Sequence, residues 1–142
     1  RLKAVYASVP VGSPLNDGVL LGPLMDSHAF DAMQAALACA RDEGGMVTGG
    51  KRVLVEEYPY GFYVTPAIVE MPRQTAIVAE ETFAPILYVM RYGALGEAIA
   101  IHNGVPQGLS SCIFTNDMRE AERFLSSEGS DCGISNVNIG AL

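Results

Sequence analysis

The sequence predicts an α/β fold, chiefly from one strongly apolar strand and from the regular alternation of strands and helices that follows it. Residues 86–90 form a nearly continuous apolar run, which is typical of a strand covered on both faces in a parallel sheet. After this run we expect a helix at 95–103, a strand at 110–115, a helix beginning after Asp117 and a strand at 134–139. This order favours right-handed βαβ crossovers and a parallel sheet.

Capping residues mark the helix boundaries in the later half. Gly104 is expected to close the helix at 95–103, and Gly129 to end the helix after it. Asp117 and Glu120 form a D-x-x-E pattern that is typical of a capping box. The apolar stripe of the second helix is expected at four positions, namely Met118, Ala121, Phe124 and Leu125.

The first half is expected to contain one long amphipathic helix and several short strands. Asp26 is placed to cap the helix and Gly44 to stop it. The apolar residues of one helical face recur at spacings of three and four, at Phe30, Met33, Leu37 and Ala40. We expect irregular structure at 7–24, a strand at 46–48 and several short strands within 53–69.

Composition and charge fit a single domain and exclude two classes of partner. The length of 142 residues suits one domain with a real core. The chain carries 16 acidic and 9 basic residues, for a net charge of −7. Because an acidic surface repels phosphate backbones and anionic lipid headgroups, we expect neither nucleic acid nor a membrane as partner.

The three cysteines are expected to be reduced thiols without a catalytic role. Their odd number and their spacing fit neither a disulfide framework nor a zinc site, which favours a cytoplasmic protein. Cys39 and Cys112 are expected to be small core residues, the commoner role of a free cysteine. At Cys132, the charge of the adjacent Asp131 disfavours a thiolate.

The two histidines, His28 and His102, have no second histidine or carboxylate at a metal-ligand spacing. We therefore interpret both as surface residues and expect no metal site. The chain also contains no Gly-x-Ser-x-Gly, P-loop or Gly-x-Gly-x-x-Gly fingerprint.

One segment carries a candidate binding chemistry, Glu80-Glu81-Thr82-Phe83-Ala84-Pro85. Pro85 fixes the backbone ahead of the apolar strand and favours extended geometry at Ala84. A carboxylate held in this segment could accept hydrogen bonds from both hydroxyls of a ribose. The alternative interpretation is that both glutamates are solvated and that Phe83 lies in the core.

Four segments, in order along the chain, resemble the aldehyde dehydrogenase superfamily. They are the Gly-Pro turn at 21–26, the Glu-Glu-x-Phe-x-Pro segment at 80–85, the Gly-Leu strand with its Thr-x-Asp helix start at 108–117, and the strand ending in asparagine at 133–138. The resemblance covers essentially the whole chain.

Two details are similar to the antiquitin branch of that superfamily. Ala84 stands where other branches usually have glycine, and the last strand reads Ser135-Asn136-Val137-Asn138. The antiquitin branch oxidises α-aminoadipic semialdehyde, which is in equilibrium with piperideine-6-carboxylate, in lysine breakdown. The resemblance therefore implies an oxidoreductase that acts on a small aldehyde.

The resemblance also implies a fold and a set of site residues. The fold is the α/β, three-layer parallel-sheet catalytic domain of the aldehyde dehydrogenase type, of which residues 1–142 would form an incomplete part. Glu81 corresponds to the glutamate that binds the nicotinamide ribose hydroxyls of NAD, and Phe83 to the aromatic residue beside that ribose. Asn138 is assigned a substrate-side role, and Glu80 is assigned none.

The family mechanism uses a cysteine thiolate, a glutamate general base and an oxyanion-binding asparagine, and the resemblance places all three outside this chain. We therefore expect a fragment of an NAD-dependent, homo-oligomeric aldehyde dehydrogenase, which is inactive by itself. One alternative is a non-catalytic binding or interaction domain that reuses the fold. A second alternative is a small enzyme that uses its own thiol.

Overall fold

The computed structural model describes residues 1–140, which form two compact units. Unit 1 is Arg1–Met90, and unit 2 begins at Arg91. The helices of the described residues are α1 (Leu2–Ala7), α2 (Ser27–Asp42), α3 (Ala76–Ala79), α4 (Leu95–Asn103) and α5 (Met118–Leu125). The strands are β1 (Met46–Thr48), β2 (Ala67–Glu70), β3 (Ile86–Val89), β4 (Ser110–Ile113) and β5 (Ile134–Val137). The predicted α/β class is confirmed.

Unit 1 contains a mixed three-stranded sheet in the order β1-β2-β3. β2 and β3 are parallel, with Ile68 opposite Leu87, whereas β1 is antiparallel to β2, with Val47 opposite Val69. The parallel pairing of β3 is confirmed. However, β2 is the buried strand, and every residue of β3 is only half-buried. The interpretation of 86–90 as a strand covered on both faces is confirmed only in part, because both faces of β3 are partly buried and neither is fully covered.

The core of unit 1 forms where α2 packs on β-sheet residues. The Asp26 carboxylate caps this helix by accepting a hydrogen bond from the Ala29 N–H at 2.8 Å. The chain leaves the helix through Gly44, whose φ of 90° belongs to the left-handed region that glycine tolerates. The core cluster consists of Met33, Leu37, Ala40, Val64, Ala67, Val69 and Met71. Phe30, predicted on the same face, is half-buried against this cluster.

Residues 53–66 do not form the predicted short strands. The stretch contributes only isolated bridges, at Phe62 and Val64, and otherwise follows turns. One such turn is closed by the Tyr58 N–H, which donates to the Leu54 carbonyl at 2.8 Å. β-branched and aromatic residues favour strands only where they can pair and be covered, and proline removes a donor from any ladder.

Two short helices, α1 and α3, have no counterpart in the sequence prediction. Neither contains a buried residue. A helix of four to six residues is too short for an apolar periodicity that a sequence pattern could show, even though Ile77 and Val78 of α3 pack against the core.

Unit 2 contains the predicted crossover, in which β4 and β5 pair in parallel and α5 lies between them in the chain. Ser111 lies opposite Ser135 in this pair. The helix α4 has the predicted bounds and is followed by Gly104. Both strands end earlier than predicted, at Ile113 and Val137.

The capping box predicted for α5 is built differently. The Asp117 carboxylate accepts from the Arg119 N–H at 2.7 Å, as an N-cap should. Glu120 does not reach back to the Asp117 N–H. It accepts from the Thr115 hydroxyl at 2.6 Å, and that hydroxyl in turn accepts from the Asp117 N–H at 3.1 Å. The Thr115 side chain thus replaces the glutamate as the direct partner.

The apolar stripe predicted for α5 is mostly not part of a core. Phe124 is buried, but Met118 and Leu125 are exposed. The helix also ends at Leu125, four residues before the predicted stop at Gly129. Within residues 1–140, no helix combines the length and apolarity that crossing a membrane requires.

Candidate functional site

The segment at 80–85 joins α3 to β3 and is anchored at its strand end. The Pro85 carbonyl accepts from the Ala67 N–H at 2.8 Å, which ties the segment to the buried central strand β2. The Ile86 N–H donates to the Ala84 carbonyl at 2.7 Å and tightens the entry into β3. The side chains that precede Pro85 are thus carried by a backbone whose position is fixed by the sheet.

Phe83 has two unusual properties within this segment. Its φ is 53°, in the left-handed region, which costs a residue with a side chain about 1–2 kcal/mol. Its ring is 89% exposed, so burial does not offset this cost. The alternative interpretation that Phe83 is a core residue is therefore wrong. An exposed aromatic ring held on a strained backbone is an arrangement that functional sites favour.

Glu81 is an exposed carboxylate at the edge of a groove. It makes no hydrogen bond or ion pair within the described residues. The groove has a volume of about 320 Å³ and runs along the small side chains of α2, between Ala36 and Thr82. A carboxylate with all its acceptor positions open can bind two hydroxyls of a diol at once.

Phe83 borders a second groove in unit 1, with a volume of about 530 Å³. The first turn of α2 contributes Asp26 and His28 to its wall, and the Gly-Pro turn contributes Leu24. Thr82 borders both grooves. The Glu81-Thr82-Phe83 tripeptide therefore presents a free carboxylate and an exposed ring to two adjacent recesses.

Asn138 lies in unit 2, directly after β5, and its amide is fully engaged with the backbone of one residue. Its Oδ1 accepts from the Thr115 N–H, and its Nδ2 donates to the Thr115 carbonyl, both at 2.9 Å. Its φ of 58° is also left-handed, which asparagine adopts more readily than most residues. The side chain thus clamps the end of β5 to the segment that begins α5.

The cysteines of the chain are free thiols, and one of them differs from its predicted setting. Cys39 is exposed rather than part of the core. Partial desolvation, followed by the charges of Glu43, Asp42 and Glu80, raises the pKa of the Cys39 thiol. The thiolate of Cys39 is therefore scarcer at neutral pH than that of an ordinary cysteine, which disfavours a nucleophilic role.

No sequence pattern indicates the close approach of His102 to Cys132. The imidazole Nε2 lies 3.3 Å from the Cys132 Sγ, although the two residues are 30 positions apart. The interpretation of His102 as a surface residue is wrong, since it is half-buried and bonded. Residue spacing could not reveal this pair because the fold of unit 2 creates it. Among the described residues, no group of three or more His, Cys, Asp or Glu side chains could hold a metal ion.

Comparison with known proteins assigns the chain to a protein family. Residues 1–141 match the model of the aldehyde dehydrogenase family, and the chain belongs to that family. It is 45% identical, over 98% of its length, to aldehyde dehydrogenase family 7 member A1 of Pisum sativum, of which it spans 27%. It is 47% identical, again over 98% of its length, to the alpha-aminoadipic semialdehyde dehydrogenase of Bos taurus, of which it spans 25%.

A solved structure supports the same assignment at the level of the fold. The putative aldehyde dehydrogenase of Burkholderia cenocepacia superposes with a TM-score of 0.88 at 32% identity, covering 100% of this chain and 31% of that protein. The resemblance to the antiquitin branch is confirmed by the relatives. The chain spans about a quarter of the length of the curated relatives that it matches.

Proposed function

We propose that the protein is an NAD-dependent aldehyde dehydrogenase, to which this chain contributes contacts to the nicotinamide ribose. The observation that carries the proposal is the left-handed, exposed Phe83 beside the free carboxylate of Glu81. Strain of this kind persists where a function requires the geometry. Family membership supplies the reaction type, and the tripeptide at 81–83 supplies the cofactor contact.

In this proposal Glu81 and Phe83 hold the cofactor in complementary ways. The Glu81 carboxylate accepts hydrogen bonds from the two ribose hydroxyls, and charge assistance makes such bonds stronger than neutral ones. The exposed Phe83 ring packs beside the ribose and limits the orientations of the nicotinamide. NAD, when bound, accepts a hydride. The two side chains act by orienting the nicotinamide ring. Less entropy is then lost when the ring reaches the geometry for hydride transfer.

We propose a positioning role for Asn138 on the substrate side. Both polar atoms of its amide are bound to Thr115. It therefore acts through the segment that it clamps, rather than by direct contact with the aldehyde.

The substrate that we propose is α-aminoadipic semialdehyde. Support comes from the 47% identity with the Bos taurus enzyme of that name and from Ala84 in the Phe-x-Pro motif. We propose that the nucleophilic thiol of the aldehyde reaction lies outside residues 1–142, since the resemblance to the family places none of Cys39, Cys112 and Cys132 at the position of its catalytic cysteine. The proposal also includes a homo-oligomer in the cytoplasm, in keeping with the free cysteines of the chain.

The experiment is a measurement of NADH formation by the full-length enzyme with α-aminoadipic semialdehyde, followed at its absorbance maximum. We expect steady turnover with NAD and none with the 142-residue polypeptide alone. Betaine aldehyde and short aliphatic aldehydes serve as comparison substrates. Absence of turnover with every aldehyde would contradict the proposed dehydrogenase activity. Preference for another aldehyde would contradict only the proposed substrate.

A further inference from the structure

Unit 2 contains a cluster of nucleophilic and titratable side chains that the proposed cofactor contacts do not use. His102, in the last turn of α4, brings its Nε2 to 2.9 Å from the Ser130 hydroxyl and 3.3 Å from the Cys132 thiol. Cys132 is half-buried, neither fully exposed nor enclosed. This His102–Cys132 pair is the cluster's reactive part.

The loop that carries Cys132 is fastened to the end of α4 by the neighbour of His102. The Asn103 Nδ2 donates to the Gly129 carbonyl at 2.8 Å, and its Oδ1 accepts from the Asp131 N–H at 3.0 Å. The Ser130 N–H donates to the Phe124 carbonyl at 2.8 Å. These three bonds fix residues 129–131 on both sides, so the approach of Cys132 to His102 does not depend on a mobile loop.

The imidazole is also oriented from the protein interior. Ser130 Oγ lies 2.7 Å from the hydroxyl of Ser111, which is only 7% exposed. With Ser111 donating to Ser130 and Ser130 donating to the imidazole, Nε2 carries its lone pair as an acceptor. The Phe124 ring lies beside the imidazole, with the centroids 6.0 Å apart. Hydroxyl and ring together hold Nε2 toward the loop at 130–132, where the thiol lies.

We propose that Cys132 is a thiol-modification site, activated by His102, that reacts with small electrophilic disulfides such as oxidised glutathione. The imidazole is placed to take the proton of the thiol, and the resulting imidazolium lies at the C-terminal end of α4, where the helix dipole favours a positive charge. Asp131 is adjacent in sequence and opposes the thiolate, so the reactivity of this cysteine depends on the imidazole.

The reaction is a thiol–disulfide exchange that needs no other oxidant. The Cys132 sulfur attacks one sulfur of oxidised glutathione, a new S–S bond forms, and the glutathione S–S bond breaks. The proton taken by His102 passes to the departing glutathione thiolate. The products are the mixed disulfide at Cys132 and one reduced glutathione. This proposal stands independently of the aldehyde chemistry proposed above.

The first test compares Cys39, Cys112 and Cys132 in the unaltered full-length enzyme at neutral pH. After brief exposure to oxidised glutathione, peptide mapping by mass spectrometry reports the fraction modified at each cysteine. We expect Cys132 to be modified faster than Cys39, although Cys39 is the exposed thiol. A rate at Cys39 equal to or greater than that at Cys132 would overturn the proposal. This ranking needs no variant.

The second test removes the base and uses the other histidine as a matched control. His102→Asn should slow modification of Cys132 by about a hundredfold or more, since a hundredfold is the low side of what a positioned base contributes. His28→Asn, in unit 1, should leave the rate unchanged. An equal rate in His102→Asn and the unaltered chain would show that the imidazole does not activate the thiol. Cys39 serves as the internal reference in each sample.

Discussion

The backbone of Phe83 and the exposure of its ring point to a residue selected for contact rather than for packing. Among the described residues, only Leu54, Phe83 and Asn138 have a side chain and a left-handed φ. Two of these three are residues that the family resemblance singles out. The sequence motif identified the residue types but could not show the backbone strain, because proline at 85 constrains Ala84 rather than Phe83.

Replacement of Phe83 by glycine should relieve backbone strain and so test whether the left-handed φ lowers stability. Glycine relieves left-handed strain of about 1–2 kcal/mol, while its flexibility in the unfolded chain returns about 0.5–1 kcal/mol. We expect the free energy of unfolding to stay constant or to rise by up to about 1.5 kcal/mol, as measured by urea denaturation. Phe83→Ala, which keeps the strain, should be less stable than Phe83→Gly. A glycine variant less stable than the alanine variant would contradict the account.

The Asn138 side chain should stabilise the backbone of Thr115 through its two hydrogen bonds. In Asn138→Gly the left-handed φ remains accessible, but two hydrogen bonds worth about 0.5–1.5 kcal/mol each are lost. We expect faster hydrogen–deuterium exchange in the peptide that contains Thr115, since its N–H loses its acceptor. Asn138→Ala should be worse still, because alanine adds strain. Unchanged exchange at Thr115 in both variants would show that the clamp contributes little.

At the scale of the elements, the amphipathic and capped helices were the predictable part. Asp26 and the spacing of Met33, Leu37 and Ala40 predicted α2 correctly because capping and burial act locally. The prediction of short strands at 53–66 was wrong because strand formation depends on pairing partners that a local sequence pattern does not reveal. The helices α1 and α3 are too short to show an apolar period in the sequence.

The cap of α2 provides a test at the same scale. Asp26→Ala removes the acceptor of the Ala29 N–H and should lower the free energy of unfolding by about 0.5–2 kcal/mol. Asp26→Asn keeps a capping oxygen and should lie close to the unaltered chain. Thermal unfolding followed by circular dichroism measures both. Equal losses in the two variants would point to the charge of Asp26, rather than to its hydrogen bond, as the stabilising feature.

At the scale of the whole molecule, each unit leaves apolar side chains uncovered. Leu15, Leu20 and Met25 are exposed in unit 1, and Phe114 and Met118 in unit 2. Exposed apolar patches and unpaired strand edges favour association. We therefore expect the 142-residue polypeptide to sediment as a concentration-dependent mixture of monomer and larger species. A single monomeric boundary over a hundredfold range of roughly micromolar concentrations would contradict this expectation.

The central proposal is that Glu81 binds the ribose of NAD. The kcat/KM for NAD of a Glu81→Gln variant of the full-length enzyme tests it most directly. Glutamine keeps the shape but loses the charge of hydrogen bonds worth about 1.5–3 kcal/mol, so kcat/KM for NAD should fall by roughly tenfold to a hundredfold. Glu80→Gln is the matched control, because that exposed neighbour has no assigned contact. The account predicts a large loss in Glu81→Gln and values near those of the unaltered enzyme in Glu80→Gln. Unchanged kinetics in Glu81→Gln, or an equal loss in both variants, would contradict it.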